Sequence, residues 1–325
     1  MGHKALKYQS KMTVLHNDIG ALPVSAKGCV VAIGNFDGVH TGHRALIAEA
    51  AQIAQKLNAP LGVLTFEPHP REFFQKGGEP FRLTLLPMKT RLMGAMGVEH
   101  MFALAFDEKL AALPAQEFID RILVRDLQAK HIVVGADFAF GKGRTGTADT
   151  LREAASAGRF GVTVVSPVCC DQSEAFSSSR IRALLKEGRF EAAAALLGHP
   201  WEIEAEVVHG DKRGRDLGYP TANQRVERYL RPPFGVYAVR VLIEGETKWR
   251  EGAANFGIRP MFRVEEPIFE TFILDFTGDI YGKTMRVQPI AHLRPEMSFD
   301  GLDALKERIK QDCVAARAVL KSTGL

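Results

Sequence analysis

The chain has 325 residues, 46% hydrophobic and 25% charged, with 42 lysines and arginines against 38 aspartates and glutamates. That length and balance fit two globular domains with sizeable cores and exclude disordered or fibrous material. The net charge of +4 is well mixed along the sequence, which suits anionic ligands but forms no nucleic-acid stripe, and no apolar run nears the ~20 residues of a membrane helix. Lys4 and Lys7 are followed by no apolar stretch, so export is not expected and the expected location is cytoplasmic, without membrane or nucleic-acid partners. Cys29, Cys169, Cys170 and Cys313 show neither C-x-x-C spacing nor a disulfide framework and read as reduced thiols.

In chain order, β-branched runs at 29–33, 62–66, 101–106, 131–135 and 161–165 predict strands. Amphipathic stretches at 43–57, 115–127 and 147–157 predict helices between them. The first helix should bury Leu46, Ile47, Ala50, Ile53, Ala54 and Leu57 before Asn58 and Pro60 stop it. Strands spaced by helices predict βαβ units and a parallel, doubly wound sheet of the α/β class. After a helical stretch at 179–197 the pattern changes. Glu202, Glu204 and Glu206 alternate with Ile203, Ala205 and Val207, the period of a half-buried strand. Further strands are expected at 235–243, 267–276 and 284–290, joined by turns, which predicts a small antiparallel β-barrel. A final helix carries Leu302, Leu305, Ile309, Cys313, Ala316 and Leu320 as its core stripe. The expected division is 1–187 for the first domain, 188–200 as linker and 201–325 for the second.

The first strand runs into Gly34-Asn35-Phe36-Asp37-Gly38-Val39-His40-Thr41-Gly42-His43 and then a helix. Glycines at a strand-to-helix turn let phosphate approach backbone N–H groups, and the helix N-terminus adds partial positive charge. Two histidines in H-x-G-H spacing can both donate toward charge building on an α-phosphate during nucleotidyl transfer. Gly42 avoids a side chain that would crowd a nucleotide. A zinc site is not supported, because no third His or Cys ligand lies nearby. Gly141-Lys142-Gly143-Arg144-Thr145-Gly146 satisfies G-x-G-x-x-G but lies beyond its strand and reads as a flexible basic loop.

In the second half, Gly210-Asp211-Lys212-Arg213-Gly214-Arg215-Asp216-Leu217-Gly218 concentrates glycines and cations, fitting a polyphosphate loop and a solvated basic turn equally well. Thr221 and Asn223 of Pro220-Thr221-Ala222-Asn223 put two oxygens on one side of an extended segment, a donor type that suits Mg²⁺. Ile268, Glu270, Phe272, Leu274 and Phe276 share a face, which places one carboxylate among apolar groups. Gly282-Lys283-Thr284 imitates the end of a Walker A loop, but a strand rather than a helix should follow.

The first motif resembles the H-x-G-H nucleotidyltransferase superfamily, and the whole string G-N-F-D-G-V-H-x-G-H resembles the prokaryotic bifunctional riboflavin kinase/FMN adenylyltransferases. Thr65-Phe66-Glu67-Pro68-His69-Pro70-Arg71, Val134-Gly135-Ala136-Asp137-Phe138-Ala139-Phe140-Gly141 and Ser177-Ser178-Ser179-Arg180-Ile181-Arg182 match further segments in family order, with Ser179 where threonine is usual. The resemblance covers about residues 29 to 315. It implies a Rossmann-like H-x-G-H nucleotidyltransferase domain followed by a riboflavin kinase-like barrel with a terminal helix. It implies ATP binding in the first domain by Gly34, Asn35, Phe36, Asp37, Gly42, Ser177, Ser178, Ser179, Arg180 and Arg182, with His40 and His43 catalytic. FMN would meet Pro68, His69, Arg71, Asp137 and Phe138.

In the second domain the resemblance assigns ATP to Gly210, Lys212, Arg213, Gly214, Arg215, Gly218, Thr221 and Asn223, and Mg²⁺ to Thr221 and Asn223. Glu270 would be the general base, and Asn255, Arg294 and Phe299 would contact flavin. Phe272 stands where the family has histidine, and Met261 of the A-N-I-G-x-R-P-T-F counterpart where it has threonine. The implied reactions are phosphorylation of riboflavin to FMN and adenylylation of FMN to FAD, with ATP as co-substrate of both. Self-association into a homo-oligomer is left open. Two rivals remain at this stage: an adenylyltransferase whose barrel only binds flavin, and an RNA-binding protein that uses the basic loops.

Overall fold

The computed structural model of the chain describes residues 12–166, 176–210, 214, 218–258 and 267–323. The chain forms two compact units, one of Met1–Gly78 with Leu86–Ser177, the other of Glu79–Leu85 with Ser178–Leu325. Lys4, Lys7, Cys169, Cys170, Lys212, Arg213, Arg215 and Met261 lie outside the described residues.

The first unit is built on β1 (Val14–His16), β2 (Val30–Ile33), β3 (Leu61–Glu67), β4 (His100–Ala105), β5 (His131–Gly135) and β6 (Gly161–Val165). All pairings are parallel, in the order β1-β4-β3-β2-β5-β6. Its helices are α1 (Thr41–Lys56), α2 (Pro70–Phe74), α3 (Leu86–Ala95), α4 (Glu108–Ala111), α5 (Ala115–Glu117), which runs on as a π-helix over Phe118–Asp126, and α6 (Ala148–Ser156). Both faces of the sheet are covered, which is why β2 is an unbroken apolar run buried at every residue. Val30 and Ala32 pack with Leu46, Ile47 and Ala50 of α1 and with Met93 of α3. Val31 and Ile33 pack with Ile119 and Leu123 of the π-helix and Leu151 of α6. The sheet is doubly wound, as expected, and its strand order reverses between β2 and β5. Loops leaving the carboxyl ends of the neighbours β3, β2 and β5 gather at that reversal, where α/β sheets bind ligands.

Two expectations here need correction. Edge strand β1, three residues paired to β4, was not predicted, because its one short apolar run carries no period. On α1, Ile53 is only half-buried and Leu57, the C-cap residue, is 44% exposed, since the helix leaves the sheet before that turn.

The second unit is a closed barrel of β7 (Ile203–Val208), β8 (Thr221–Arg225), β9 (Gly235–Ile243), β10 (Arg250–Ile258), β11 (Pro267–Ile273) and β12 (Thr284–Arg294), in the order β10-β11-β8-β7-β12-β9 with antiparallel pairing. β8 and β10 were not expected as strands: they are rich in Asn, Gln, Gly and Ala, which lack the β-branched signal. Inside the barrel, Gln224 of β8 donates from Nε2 to the carbonyls of Ala205 and Met285, 2.7 Å each, so a polar side chain ties β8 to β7 and β12.

Helices α7 (Ser178–Lys186), α8 (Phe190–Leu197) and α9 (Leu302–Ser322) complete this unit. The expected linker 188–200 instead contains α8, which buries Phe190, Ala193 and Leu197, and the division between units falls at Ser177/Ser178. Ala316 and Leu320 of α9 pack on Ala238 and Ala253, while Leu302 is 68% exposed and lies outside the stripe predicted for it. Glu202, read as a solvent-facing position, is buried because Arg286 grips it with two bonds of 2.7 and 2.9 Å and Gln288 adds a third. The segment Glu79–Leu85, read as part of the first domain, belongs to the barrel unit. Its Arg82 carbonyl accepts from Leu230 N, and its Leu83 carbonyl accepts from Trp201 Nε1 at 3.0 Å.

Candidate active sites

In the first unit, the turn between β2 and α1 carries Phe36, Gly38 and Val39 at φ of 50°, 87° and 45°. A β-branched valine at positive φ is strained, so its surroundings must hold it there. Phe36 and Val39 are buried in the core cluster beneath α1, so the Phe36 ring does not point out of the turn. The Phe36 ring instead supports His43 from its edge, centroids 5.2 Å apart. His40 is the N-cap of α1, its Nδ1 accepting from His43 N at 3.3 Å. An accepting Nδ1 leaves the proton of the neutral ring on Nε2, so His40 is set as a donor through that atom. The two imidazoles stack at 3.6 Å with 18° between their planes. A β-carbon at Gly42 would lie 3.2 Å from His40 Cε1 and 3.4 Å from Phe176 Cβ. Glycine there leaves room for the His40 ring, which a methyl group would crowd.

The neighbouring loops follow β3 and β5. Thr65 is fully buried and donates to the Asn35 carbonyl at 3.2 Å, so it braces the turn from beneath. His69 caps α2 by accepting from Arg71 N at 3.0 Å, and His69 N in turn donates to Glu72 Oε2 at 3.2 Å. That capping box explains a buried histidine in a segment otherwise open to solvent, with Pro68 and Arg71 exposed. After β5, Asp137 is exposed and Phe138 stacks on Phe140 at 5.5 Å. Lys142–Arg144 form a short 3₁₀ turn closed by the Phe140–Gly146 bridge, and α6 starts only at Ala148, so no helix opens on these glycines.

Ser177 ends the first unit, and Ser178, Ser179, Arg180 and Arg182 belong to α7 of the second. Arg182 does not present a bare guanidinium: its Nε donates to the Phe81 carbonyl at 2.9 Å and its charge lies over the Phe81 ring.

In the barrel, strand register assembles the predicted residues. Glu270 of β11 lies opposite Asn223 of β8 on one side and Asn255 of β10 on the other, so the three share a face. Thr221 is opposite Phe272 in the next row of that face. The buried face of β11 is Pro267, Phe269, Thr271 and Ile273, whereas Ile268, Glu270 and Phe272 are half-buried. The carboxylate is therefore accessible rather than sunk among apolar groups, a correction to the sequence reading. Asn223 is buried, and its Oδ1 has no hydrogen-bond partner among the described residues. Gly210 lies against its amide, 2.5 Å from the β-carbon position to Nδ2. Gly214 turns back on Tyr219, whose N–H donates to the Gly214 carbonyl at 2.7 Å, and its β-carbon position is 3.5 Å from Thr221 Oγ1. Gly218 takes φ 82°, which that turn requires.

An adjoining cavity of about 340 Å³ is lined by Val207, Thr221, Ala222, Ile273 and Phe276, with Asp279 and Tyr281 among the residues of its wall. Sequence reasoning missed this 276–281 wall, which follows β11 without a motif of its own. At the other end of the row, Glu296 packs against Gly257 beside Asn255. Arg294 is held by Asp312 of α9 through bonds of 2.9 and 2.7 Å, with Phe299 5.8 Å from its guanidinium. This pair anchors the start of the 294–299 segment to α9.

A family model described as FAD synthetase matches residues 22–180, and one described as riboflavin kinase matches residues 197–320. The chain is 42% identical over 291 residues to a bifunctional riboflavin kinase/FMN adenylyltransferase of Escherichia coli strain K12, covering 90% of this chain and 92% of that protein. It is 38% identical over 288 residues to the protein of the same description from Bacillus subtilis strain 168, covering 87% and 90%. A crystal structure from Streptococcus pneumoniae, described as a macrolide-efflux protein, superposes with a TM-score of 0.79 at 33% identity, covering 94% of this chain and 99% of that one. No helix among the described residues is long and apolar enough to cross a membrane. Each half is matched by one of the two family descriptions, and the curated relatives align along nearly their whole length, so the chain belongs to the bifunctional riboflavin kinase/FMN adenylyltransferase family.

Proposed function

We propose that this chain phosphorylates riboflavin to FMN in its barrel unit and adenylylates FMN to FAD in its parallel-sheet unit, as a cytoplasmic enzyme using ATP for both steps. The observation that carries the reading is that each unit has its own cluster of the expected groups: the stacked His40 and His43 at the head of α1, and the Asn223–Glu270–Asn255 row across the barrel.

In the barrel, Glu270 accepts the proton of the riboflavin 5′-hydroxyl as that oxygen bonds to the γ-phosphorus and the bond to the β-phosphate breaks, releasing ADP. Asn223 and Asn255 flank the carboxylate and hold its position between two strands. The buried Asn223 Oδ1, without a partner among the described residues, and the Thr221 hydroxyl on the same face form an oxygen set that fits Mg²⁺. When bound, that ion supplies charge neutralisation to the ATP phosphates. The adjoining cavity, with Val207, Ala222 and Ile273 as apolar wall, takes the nucleoside. Lys212, Arg213 and Arg215 lie between Gly210 and Gly218 in the sequence, and their cationic chemistry suits the ATP phosphates.

In the sheet unit, a phosphate oxygen of FMN attacks the α-phosphorus of ATP and pyrophosphate leaves. The attacking phosphate is already anionic at neutral pH, so no general base is needed. His40 through Nε2, His43 and the N–H groups of the turn stabilise the charge that develops. Ser177, the last residue of this unit, supplies a further phosphate contact.

The test is to incubate the protein with riboflavin, ATP and Mg²⁺ and follow both products by chromatography. His43→Ala should accumulate FMN. Glu270→Gln should lose about 10²–10⁴-fold in riboflavin phosphorylation yet convert supplied FMN to FAD at the wild-type rate. Wild-type FAD formation by His43→Ala, or wild-type FMN formation by Glu270→Gln, overturns the corresponding assignment.

A further inference from the structure

We propose that Lys89 is a positioning residue for adenylyl transfer, holding the strained turn between β2 and α1 in its working shape from below. The inference rests on the reading that this turn binds ATP. Lys89 lies on α3 and is fully buried. Its Nζ donates to the Asn35 carbonyl at 2.7 Å and to Thr65 Oγ1 at 3.3 Å, and Thr65 donates to the same carbonyl at 3.2 Å. One backbone oxygen thus accepts two bonds, one of them from an ammonium.

That oxygen begins the strained stretch. The peptide carrying it leads directly into Phe36 at φ 50°, then Gly38 at 87° and Val39 at 45°, and the next residue is His40. Non-glycine residues hold such conformations only where their surroundings over-determine them. Gly34 N to the Leu64 carbonyl and Arg44 Nε to the Val39 carbonyl tie the two ends of the turn, while Lys89 and Thr65 hold the peptide that opens its strained stretch. Sinking an ammonium into a protein core is unfavourable, and on α3 the neighbouring buried side chains Met88 and Met93 show that an apolar group suits this face. The charge is better explained by what it grips. It also places a fixed cation beneath a turn that must stabilise growing negative charge, which low-dielectric surroundings strengthen.

A residue that shapes the turn without touching substrate should change turnover more than binding. Lys89→Met keeps the bulk and removes the donor and the charge. It should lower kcat for FMN adenylylation by about 10²-fold, the scale of a small misplacement of reacting groups, with KM for ATP and FMN within about twofold of wild type. Riboflavin phosphorylation by the same variant should run at the wild-type rate. Thr65→Val should show a smaller loss in the same direction, and the double variant should be no slower than Lys89→Met alone, because both act through one carbonyl.

A wild-type kcat in a Lys89→Met protein that merely melts earlier overturns the proposal, as do losses that multiply in the double variant. If Lys89→Met prevents the first unit from folding, Thr65→Val decides, and full kcat there overturns it. His43→Ala separates the two ideas. If it leaves adenylylation intact, the site itself is misplaced; if it abolishes adenylylation while Lys89→Met does not, only the role of Lys89 fails.

Discussion

His40 shows how several jobs fall on one side chain. Its Nδ1 caps α1, its ring stacks on His43, and the bond it accepts leaves Nε2 as the donor. Gly42 is what lets that ring fit. Gly42→Ala would press a methyl against His40 and Phe176, and FAD formation should fall by about tenfold or more in a coupled assay while FMN formation is unchanged. Arg294 and Asp312 are both largely buried, and Arg308 keeps a 3.2 Å contact with Asp312, so Arg294→Met should leave the carboxylate partly compensated and destabilise the barrel by about 1–3 kcal/mol in denaturant titration. Burial pushes the Cys29 thiol up to about 12 and the Cys313 thiol up to about 11. Peptide mapping after native alkylation near pH 7.5 should find both cysteines unmodified, because the thiolate is the reactive form.

At the scale of elements, the segment Glu79–Leu85 supplies acceptors that the barrel unit needs. Trp201 is buried, and its Nε1 finds its partner in the Leu83 carbonyl. Trp201→Phe should cost the barrel about 1 kcal/mol or more, measured by denaturant titration of the full chain, since the bond is lost and a buried carbonyl loses a donor. The sequence offers no signal for this crossing, because a seven-residue stretch carries no period and its partners lie more than a hundred residues away.

Edge strand β1 is joined to β4 by a short ladder and by the His16–His100 contact at 3.1 Å. Burial lowers the pKa of both rings; the His100 charge lowers His16 further, while Glu99 opposes the shift of His100. His131 is lowered by burial as well. Below their ordinary value near 6.5 the unfolded chain therefore binds more protons than the folded one, and stability falls as pH drops through that range. Thermal unfolding of the first unit should occur at lower temperature at pH 5.5 than at pH 7.5, and His100→Asn should flatten that dependence.

For the whole molecule, the two chemistries are assigned to separate units. A mixture of His43→Ala and Glu270→Gln proteins should make FAD from riboflavin, because each variant keeps the unit that the other has lost. No FAD from the mixture, with each variant active in its own remaining step, would show that FMN does not pass between molecules.

The sequence by itself determined the two fold classes and most of the strands. Apolar runs and their spacing follow from burying one or both faces of a sheet, and that requirement is written locally. It also determined which motifs matter, because glycine turns and paired histidines carry their chemistry within a few residues. What only the tertiary structure decided was which neighbours those motifs meet. An alternating strand has two faces, and barrel closure chose Phe269, Thr271 and Ile273 for the interior, leaving Glu270 half-open between Asn223 and Asn255. Lys89 beneath the turn, Asp312 behind Arg294 and Leu83 beneath Trp201 are contacts between residues 18 or more positions apart. Such pairings exist only once the chain has packed, because side-chain partners across a core are set by three-dimensional register and not by spacing along the chain.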